Sequence, residues 1–281
     1  MTGVHKGYVE GIVLTPHDLA SELAGGGPAV PLVLDLRPAE DFAAGHLPGA
    51  VHIDLWGVSL IDTDPAPLRA FLWMIQHVLE ARGVTATRPV VVYDDKSGVR
   101  AARALWFLDY FGHPDARLLD GGFTAWVAAG FSVTREARRP EPATWSIEPR
   151  AGRLATWREV SQRLARPDAV LLDTRSRDEY FGVVARARRA GAVPGAVHLE
   201  WTNNLDADGG FKPAAELRSM YERIGVTPDR EVVAYCQGGY RAAHSCLALR
   251  LIGFPRVRNY IGSWKEWGDR EDLPIEVPRP D

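Results

Sequence analysis

Short apolar runs bounded by turn residues recur along the chain, and between them the apolar spacing becomes helical. Residues 31–36 and 89–93 in the first half, and 169–174 and 231–235 in the second, are mostly Val, Leu and Ala with little polar alternation. Such runs predict strands buried on both faces. Thr15 followed by Pro16 predicts an N-cap with proline at the first helical position, and Thr156 predicts the cap of an equivalent helix. Helical patterns over 101–111 and 242–252 follow the second strand of each half and stop at Gly112 and Gly253. Strands alternating with helices predict an α/β fold, with parallel sheets flanked by helices on both faces. Ligands of such sheets sit at the carboxyl ends of the strands.

The pattern also repeats. Val33-Leu34-Asp35-Leu36-Arg37 returns as Leu171-Leu172-Asp173-Thr174-Arg175, and Pro48-Gly49-Ala50-Val51-His52 as Pro194-Gly195-Ala196-Val197-His198. Gly83-Val84-Thr85 returns as Gly225-Val226-Thr227, and Val91-Val92-Tyr93-Asp94 as Val233-Ala234-Tyr235-Cys236. Arg100-Ala101-Ala102 returns as Arg241-Ala242-Ala243, while Gly122-Phe123 and Trp126 return as Ser263-Trp264 and Trp267. The order is kept, and past an insertion around 182–189 the offset settles at 142 (Gly83 to Gly225) or 141 (Arg100 to Arg241). A fixed long period means two copies of one domain. The stretch 135–153 holds Pro140, Pro142, Pro149 and many charges, and reads as an extended join. The expected division is a first domain over 1–136, a linker over 137–153 and a second domain over 154–281.

Composition narrows the function. A chain of 281 residues with 46% apolar and 25% charged residues has material for two cores. The net charge of −3 and the lack of a long basic run predict no nucleic-acid partner and no membrane partner. Arg186, Arg188 and Arg189 read as a solvated loop. Two cysteines, Cys236 and Cys246, predict neither a disulfide framework nor a protein-built zinc site, so no metal is expected. The N-terminal residues lack a basic-then-apolar leader, and no 18-residue apolar run occurs. A reducing, cytoplasmic setting is the expectation.

The chemistry concentrates at Cys236. It closes a buried strand and opens Cys236-Gln237-Gly238-Gly239-Tyr240-Arg241, after which a helix begins near Arg241. Two glycines let the backbone curl with its N–H groups inward, and the helix start adds unpaired N–H groups and the positive end of a dipole. Such a cup favours a thiolate; cysteines so placed have pKa values of roughly 3.5–7.5. It equally suits a persulfide or the anionic end of a sulfur donor. The alternative, a small apolar core residue, does not call for a diglycine turn at a helix start. Cys246, among Leu247, Leu249 and Leu251, has the opposite profile and reads as core.

These residues resemble the rhodanese family, the tandem-domain sulfurtransferases. The resemblance spans nearly the whole chain: Asp173 and Arg175, the Pro-Gly-Ala turn, the Cys loop, and Tyr260-Ile261-Gly262-Ser263-Trp264 with Glu266 and Trp267. It implies two rhodanese-like domains, the first catalytically silent because Asp94 stands where the second has Cys236, with the site between them. It implies ping-pong sulfur transfer through a Cys236 persulfide, from a small-molecule donor such as thiosulfate to cyanide or a thiol, with no cofactor. The loop N–H groups of residues 237–241 are then the stabilisers of charge on sulfur.

Donor choice rests on fewer residues. Members using 3-mercaptopyruvate commonly show Cys-Gly-Ser/Thr-Gly-Val-Thr, which Cys-Gln-Gly-Gly-Tyr-Arg matches poorly, so thiosulfate is favoured. Many members carry an anion-binding Arg where this chain has Glu179, and some thiosulfate enzymes have a basic residue where it has Gln237. Arg241 and Arg100 are therefore the candidate donor-binding cations, each with a salt bridge as its alternative reading. Gln237, Gly238, Gly239 and Tyr240 complete the candidate substrate-binding set, although Tyr240 is equally able to cover the loop. Asp173 with Arg175 reads as a buried ion pair, Trp264 and Trp267 as core, and His244 has no base to play for a thiolate already formed. A phosphatase is disfavoured because only four residues separate Cys236 from Arg241, against five in Cys-x5-Arg loops. 3-Mercaptopyruvate transfer and a non-enzymatic binding module remain the other readings.

Overall fold

The computed structural model describes residues 6–27, 30–164 and 166–279, and these form two parallel five-stranded sheets. The first contains β1 (Val13–Leu14), β2 (Leu32–Asp35), β3 (Val51–His52), β4 (Val90–Tyr93) and β5 (Ala116–Leu119), in the order β1-β5-β4-β2-β3. The second contains β6 (Leu154–Ala155), β7 (Ala169–Asp173), β8 (Val197–His198), β9 (Glu231–Tyr235) and β10 (Val257–Tyr260), in the order β6-β10-β9-β7-β8. The two orders are the same, as a duplicated domain requires. The helices are α1 (Pro16–Ala24), α2 (Ala39–Ala44), α3 (Pro65–Glu80), α4 (Val99–Tyr110) and α5 (Gly122–Ala128) in the first half. In the second they are α6 (Trp157–Arg163), α7 (Arg177–Tyr180), α8 (Ala214–Arg223), α9 (Tyr240–Leu251) and α10 (Ser263–Trp267).

Local chemistry fixes the element ends. Thr15 and Thr156 both form capping boxes, with Asp18 and Glu159 returning the bond to the cap N–H. Gly112 and Gly253 follow α4 and α9 with φ of 85° and 82°, the left-handed conformation that stops a helix. Both long helices begin two residues before the apolar pattern does, at Val99 and Tyr240, because their first turns belong to the loops that follow β4 and β9.

Strand alternation divides the interior into three layers. Leu32, Leu34, Val90 and Val92 face one side of their sheet, and Val170, Leu172, Val232 and Ala234 face one side of the other; all eight join a single core. The intervening residues face two outer cores, Val33 and Val91 with Leu19 and Trp126, and Leu171 and Val233 with Trp264 and Trp267. Helices α4 and α9 both lie in the shared core, so the halves are fused through apolar packing. The chain between α5 and Ala151 runs extended over the first half. Trp145 is buried there, and Glu148 and Arg150 donate their N–H groups to Phe111 and Tyr110 carbonyls.

Polar residues expected to be structural are so placed. Arg175 forks onto Asp173 with Nε at 3.0 Å from both carboxylate oxygens, repeating Arg37 on Asp35 in the first half. Trp264 and Trp267 are fully buried, and their indole N–H groups reach the Arg189 and Pro274 carbonyls. Cys246 is buried in the shared core, where loss of hydration pushes its thiol well above the usual range.

Candidate active site

Cys236 follows the last residue of β9, and Gly239 caps α9 with φ 84° and ψ 0°. The backbone between them turns back so that the Gly239 N–H donates to Cys236 Sγ at 3.1 Å. Among the described residues, the N–H groups of Gln237, Gly238, Tyr240 and Arg241 meet no acceptor, leaving them to whatever lies beyond the sulfur. Of the two glycines expected to shape the turn, only Gly239 adopts the left-handed conformation. A Cβ there would lie 2.8 Å from Arg103 Nη1 and 3.0 Å from the Ile261 carbonyl, so glycine is required twice over.

Helix α10 holds the other side of the loop. The Trp264 and Lys265 N–H groups donate to the Cys236 and Gln237 carbonyls, both at 2.9 Å. Ser263 Oγ accepts the Cys236 N–H at 3.0 Å, donates to the Tyr260 carbonyl at 2.7 Å, and lies 4.0 Å from Sγ. Ser263 is the sole described non-glycine residue with positive φ, 55°, a conformation that costs energy and is tied here to the Cys loop.

Cys236 is only 1% exposed, yet its surroundings are not sealed: it forms part of the floor of a cavity of about 610 Å³ between the halves. Gln237, Gly238, Tyr240 and Arg241 line that cavity with Cys236, and Trp56, Ser59, Trp201, Arg186 and Lys265 complete most of its wall. The first half thus supplies Trp56 and Ser59 to a site whose sulfur belongs to the second. The Tyr240 hydroxyl lies 2.5 Å from the Leu55 carbonyl and 3.0 Å from that of Val58, so the ring both walls the cavity and ties the halves together.

The predicted cations fall differently. Arg241 reaches the cavity but is gripped by Glu179, Nη1 at 2.6 Å and Nη2 at 2.9 Å. Arg100 does not line the cavity: its guanidinium stacks on the Trp56 indole at 4.3 Å and lies 3.7 Å from Asp54. The salt-bridge alternative describes Arg100 as it stands, because α4 directs it to the rim and not inward. Arg186 is exposed, as a solvated loop predicts, but it also borders the site. It lines the cavity, its carbonyl accepts the Gln237 side-chain N–H at 2.7 Å, and its Nε lies 3.6 Å from Glu179. Arg189 is structural, its guanidinium donating to carbonyls of Trp267, Gly268 and Leu273.

Three residues of the site were not expected from the sequence. Lys265 lines the cavity with Nζ 3.1 Å from Ser59 Oγ, and no carboxylate pairs with it among the described residues. Ser263 sits inside a motif whose aromatic members drew attention instead. Arg103, buried on α4, donates to the Gly238 carbonyl at 2.7 Å. Its counterpart 141 positions on is His244, buried in the same way.

The first half shows what such a loop does with an anion. The Asp94 carboxylate fills the turn after β4 and accepts N–H groups from Gly98 at 2.9 Å, Ala101 at 3.0 Å and Lys96 at 3.3 Å. In the first half, a strand end, a turn and a helix start thus close around a carboxylate that is the loop's own.

A family model, the rhodanese-like domain, matches residues 15–129 and again 156–270. The chain belongs to the rhodanese family. A thiosulfate sulfurtransferase of Pseudomonas aeruginosa is 37% identical over 282 residues, covering 95% of this chain and 97% of the relative. One from Azotobacter vinelandii is 35% identical with the same coverage. A probable 3-mercaptopyruvate sulfurtransferase of Pseudomonas aeruginosa is also 37% identical, over 91% of this chain and 94% of the relative. Among solved structures, wild-type EanB superposes with a TM-score of 0.85 at 23% identity, covering 95% of this chain and 69% of that one. That likeness concerns the rhodanese fold. No helix of the described residues is long and apolar enough to cross a membrane.

Proposed function

We propose that this rhodanese-family protein is a thiosulfate sulfurtransferase that carries sulfane sulfur as a persulfide on Cys236. The Cys236 thiolate attacks the outer sulfur of thiosulfate; a new S–S bond forms as the old one breaks, and sulfite leaves with the electron pair. An acceptor thiolate, or cyanide, then attacks the outer sulfur of the persulfide. It leaves as a persulfide, or as thiocyanate, and Cys236 returns as the thiolate. In each half-reaction the nucleophile that gains the sulfur is oxidised by as much as the departing group is reduced, so the exchange balances within the two reactants and calls for no outside oxidant or cofactor.

The observation that carries this reading is the 3.1 Å contact from Gly239 N–H to Cys236 Sγ at the floor of a cavity. A main-chain donor fixed on sulfur favours the charged form at both ends of the cycle. The unpaired N–H groups of the loop continue the same support to a second sulfur. Arg186, Arg241 and Lys265 outnumber Glu179 around the cavity, which suits a donor with two negative charges. Gln237, Gly238, Gly239, Tyr240 and Arg241 are the residues we assign to donor binding, with Lys265 and Arg186 added and Arg100 relegated to support of Trp56. Both cysteines are free thiols, which fits work in the cytoplasm.

Intact mass after thiosulfate treatment tests the reading. The unmodified protein should gain about 32 Da, one sulfur atom, and lose it on adding cyanide; Cys236→Ser should gain nothing. Turnover should be higher with thiosulfate than with 3-mercaptopyruvate. A protein that takes sulfur only from 3-mercaptopyruvate would overturn the donor assignment and leave the persulfide standing.

A further inference from the structure

The duplication places two polar side chains in equivalent, crossed positions. Arg103, the fifth residue of α4, reaches out of the first half and donates through Nη1 to the Gly238 carbonyl at 2.7 Å. His244, the fifth residue of α9, reaches back and its Nε2 lies 2.9 Å from the Ser97 carbonyl. Gly238 and Ser97 each precede the glycine that caps a helix, Gly239 and Gly98. Those two glycine N–H groups are the ones aimed at Cys236 Sγ, at 3.1 Å, and at Asp94 Oδ1, at 2.9 Å.

Carbonyl and N–H of one trans peptide point in opposite directions. Fixing the Gly238 carbonyl therefore fixes where the Gly239 N–H points, and a donor on the carbonyl strengthens the N–H on the far side. The two halves use different donors for this. Burial pushes the His244 imidazole down to about 4, so a neutral ring braces the peptide that faces the Asp94 carboxylate. A guanidinium braces the peptide that faces Cys236.

Fastening the halves does not by itself call for that guanidinium, since a neutral donor does the equivalent job in the sister position. Arg103 is almost completely buried, no carboxylate pairs with it among the described residues, and its Nε has no acceptor. Its other contacts include the Val58 carbonyl at 3.0 Å, the Tyr240 ring at 3.9 Å and the Phe107 ring at 5.1 Å. A buried cation without a counter-charge is costly. Burial pulls its pKa down to about 10, and the sulfur of Cys236, like Tyr240, is near enough to favour its charged form.

The geometry points to Arg103 as a positioning residue supplied by the silent half: it aims and polarises the Gly238–Gly239 peptide onto the Cys236 sulfur. This rests on the reading of Cys236 as the sulfur-carrying thiolate, and it gives the Asp94 half a part in the chemistry it cannot perform.

The pH dependence of Cys236 alkylation by iodoacetamide, read at that residue by mass, tests it in the full chain. Arg103→His installs the neutral donor of the sister position, and Arg103→Met keeps stem packing while removing both bond and charge. Both should alkylate about tenfold more slowly than the unmodified protein on the acid side of the profile, the scale expected when one charge-assisted donor is lost. Persulfide formation should survive in Arg103→His at a reduced rate. Arg250→Gln, which loosens the same α4–α9 contact through the 2.9 Å pair with Asp109, should keep the original profile even if it melts earlier. If Arg103→Met does not fold, the Arg103→His profile decides. Unchanged profiles in folded Arg103 variants would overturn the inference. An unmodified protein whose Cys236 titrates as an ordinary thiol and takes no sulfur would instead overturn the reading beneath it.

Discussion

Glu179 holds Arg241 by both guanidinium nitrogens, at 2.6 and 2.9 Å, directly beside the sulfur-bearing loop. The carboxylate is 2% exposed and also accepts the Ser176 N–H and hydroxyl in a capping box. Burial opposes its ionisation, but Arg241 and Ser176 outweigh burial and carry it down to about 2 from an ordinary 4.5. The folded state then binds fewer protons than the unfolded chain between those values. Its contribution to stability is complete above about pH 4.5 and is lost as pH falls through about 2. Glu179→Gln should therefore flatten the acid limb of a stability–pH curve. It should also free Arg241 for the donor and lower the KM for thiosulfate about fivefold, a loss of roughly 1 kcal/mol of competing attraction. An unchanged KM would mean that Arg241 serves the fold and not the donor.

Asp94 behaves oppositely. Burial drives its carboxyl up to about 6, and the N–H groups of Ala101, Gly98 and Lys96 only partly offset this. The native state binds the proton more tightly than the unfolded chain, so this contribution to stability declines as pH rises from about 4 to about 6 and is flat above. Asp94→Ala removes that slope and leaves three donors without an acceptor. Chemical denaturation at pH 7 should show a loss of about 1–3 kcal/mol. Sulfur transfer per folded molecule should stay near that of the unmodified protein, because Asp94 touches no wall of the cavity.

The sequence resolved what is local and periodic. The helix caps at Thr15 and Thr156, both glycine helix stops and the central strands follow from residue type and spacing, and the repeat fixed the pairing of the halves; the capping box at Ser176 did not register. The short edge strands β1, β3, β6 and β8 carry two residues each, too few for a period to register. The cations of the site were harder. Arg100 and Arg103 lie three positions apart on one helix, and nothing local distinguishes the rim from the interior. Arg103 is covered by Tyr240 of α9 and by the loops that carry Val58 and Gly238. Lys265 faces the cavity because α10 begins at Ser263 with positive φ, a backbone choice driven by bonds to a loop 27 positions earlier. Contacts between halves are a property of the assembled fold, so the places of Arg103 and Lys265 are set only once the two halves pack together.

The two loop glycines should not respond alike. Gly239→Ala puts a Cβ into a left-handed residue, 2.8 Å from Arg103 Nη1 and 3.0 Å from a backbone oxygen. The strain, about 1–2 kcal/mol, is relieved by turning the very peptide that faces Sγ. Persulfide formation should fall about tenfold or more. Gly238→Ala meets Ser59 Cβ at 3.3 Å, a contact a small shift absorbs, and its effect should stay within about threefold. Equal losses in single-turnover rates would show that the loop needs small residues for access and not for the direction of one N–H group.

Lys265 is the cation best placed to meet the donor. Arg241 is held by Glu179 and Arg186 is shared with the same carboxylate, whereas among the described residues the Lys265 ammonium meets only the Ser59 hydroxyl across the cavity, at 3.1 Å. An ammonium that gives up no ion pair on meeting an anion keeps most of that attraction as binding. Lys265→Gln keeps a hydrogen-bond donor on a side chain one atom shorter and deletes the charge. It should raise the KM for thiosulfate about tenfold, the scale of one charge-assisted hydrogen bond, with a smaller change in kcat. Arg186→Gln should do less, since its side chain is 61% exposed and screened by water. The Lys265 effect should shrink as salt rises, and initial rates at several ionic strengths measure that directly. A KM that ignores both the substitution and the salt would place the sulfite end of the donor away from Lys265, against the free N–H groups of the loop.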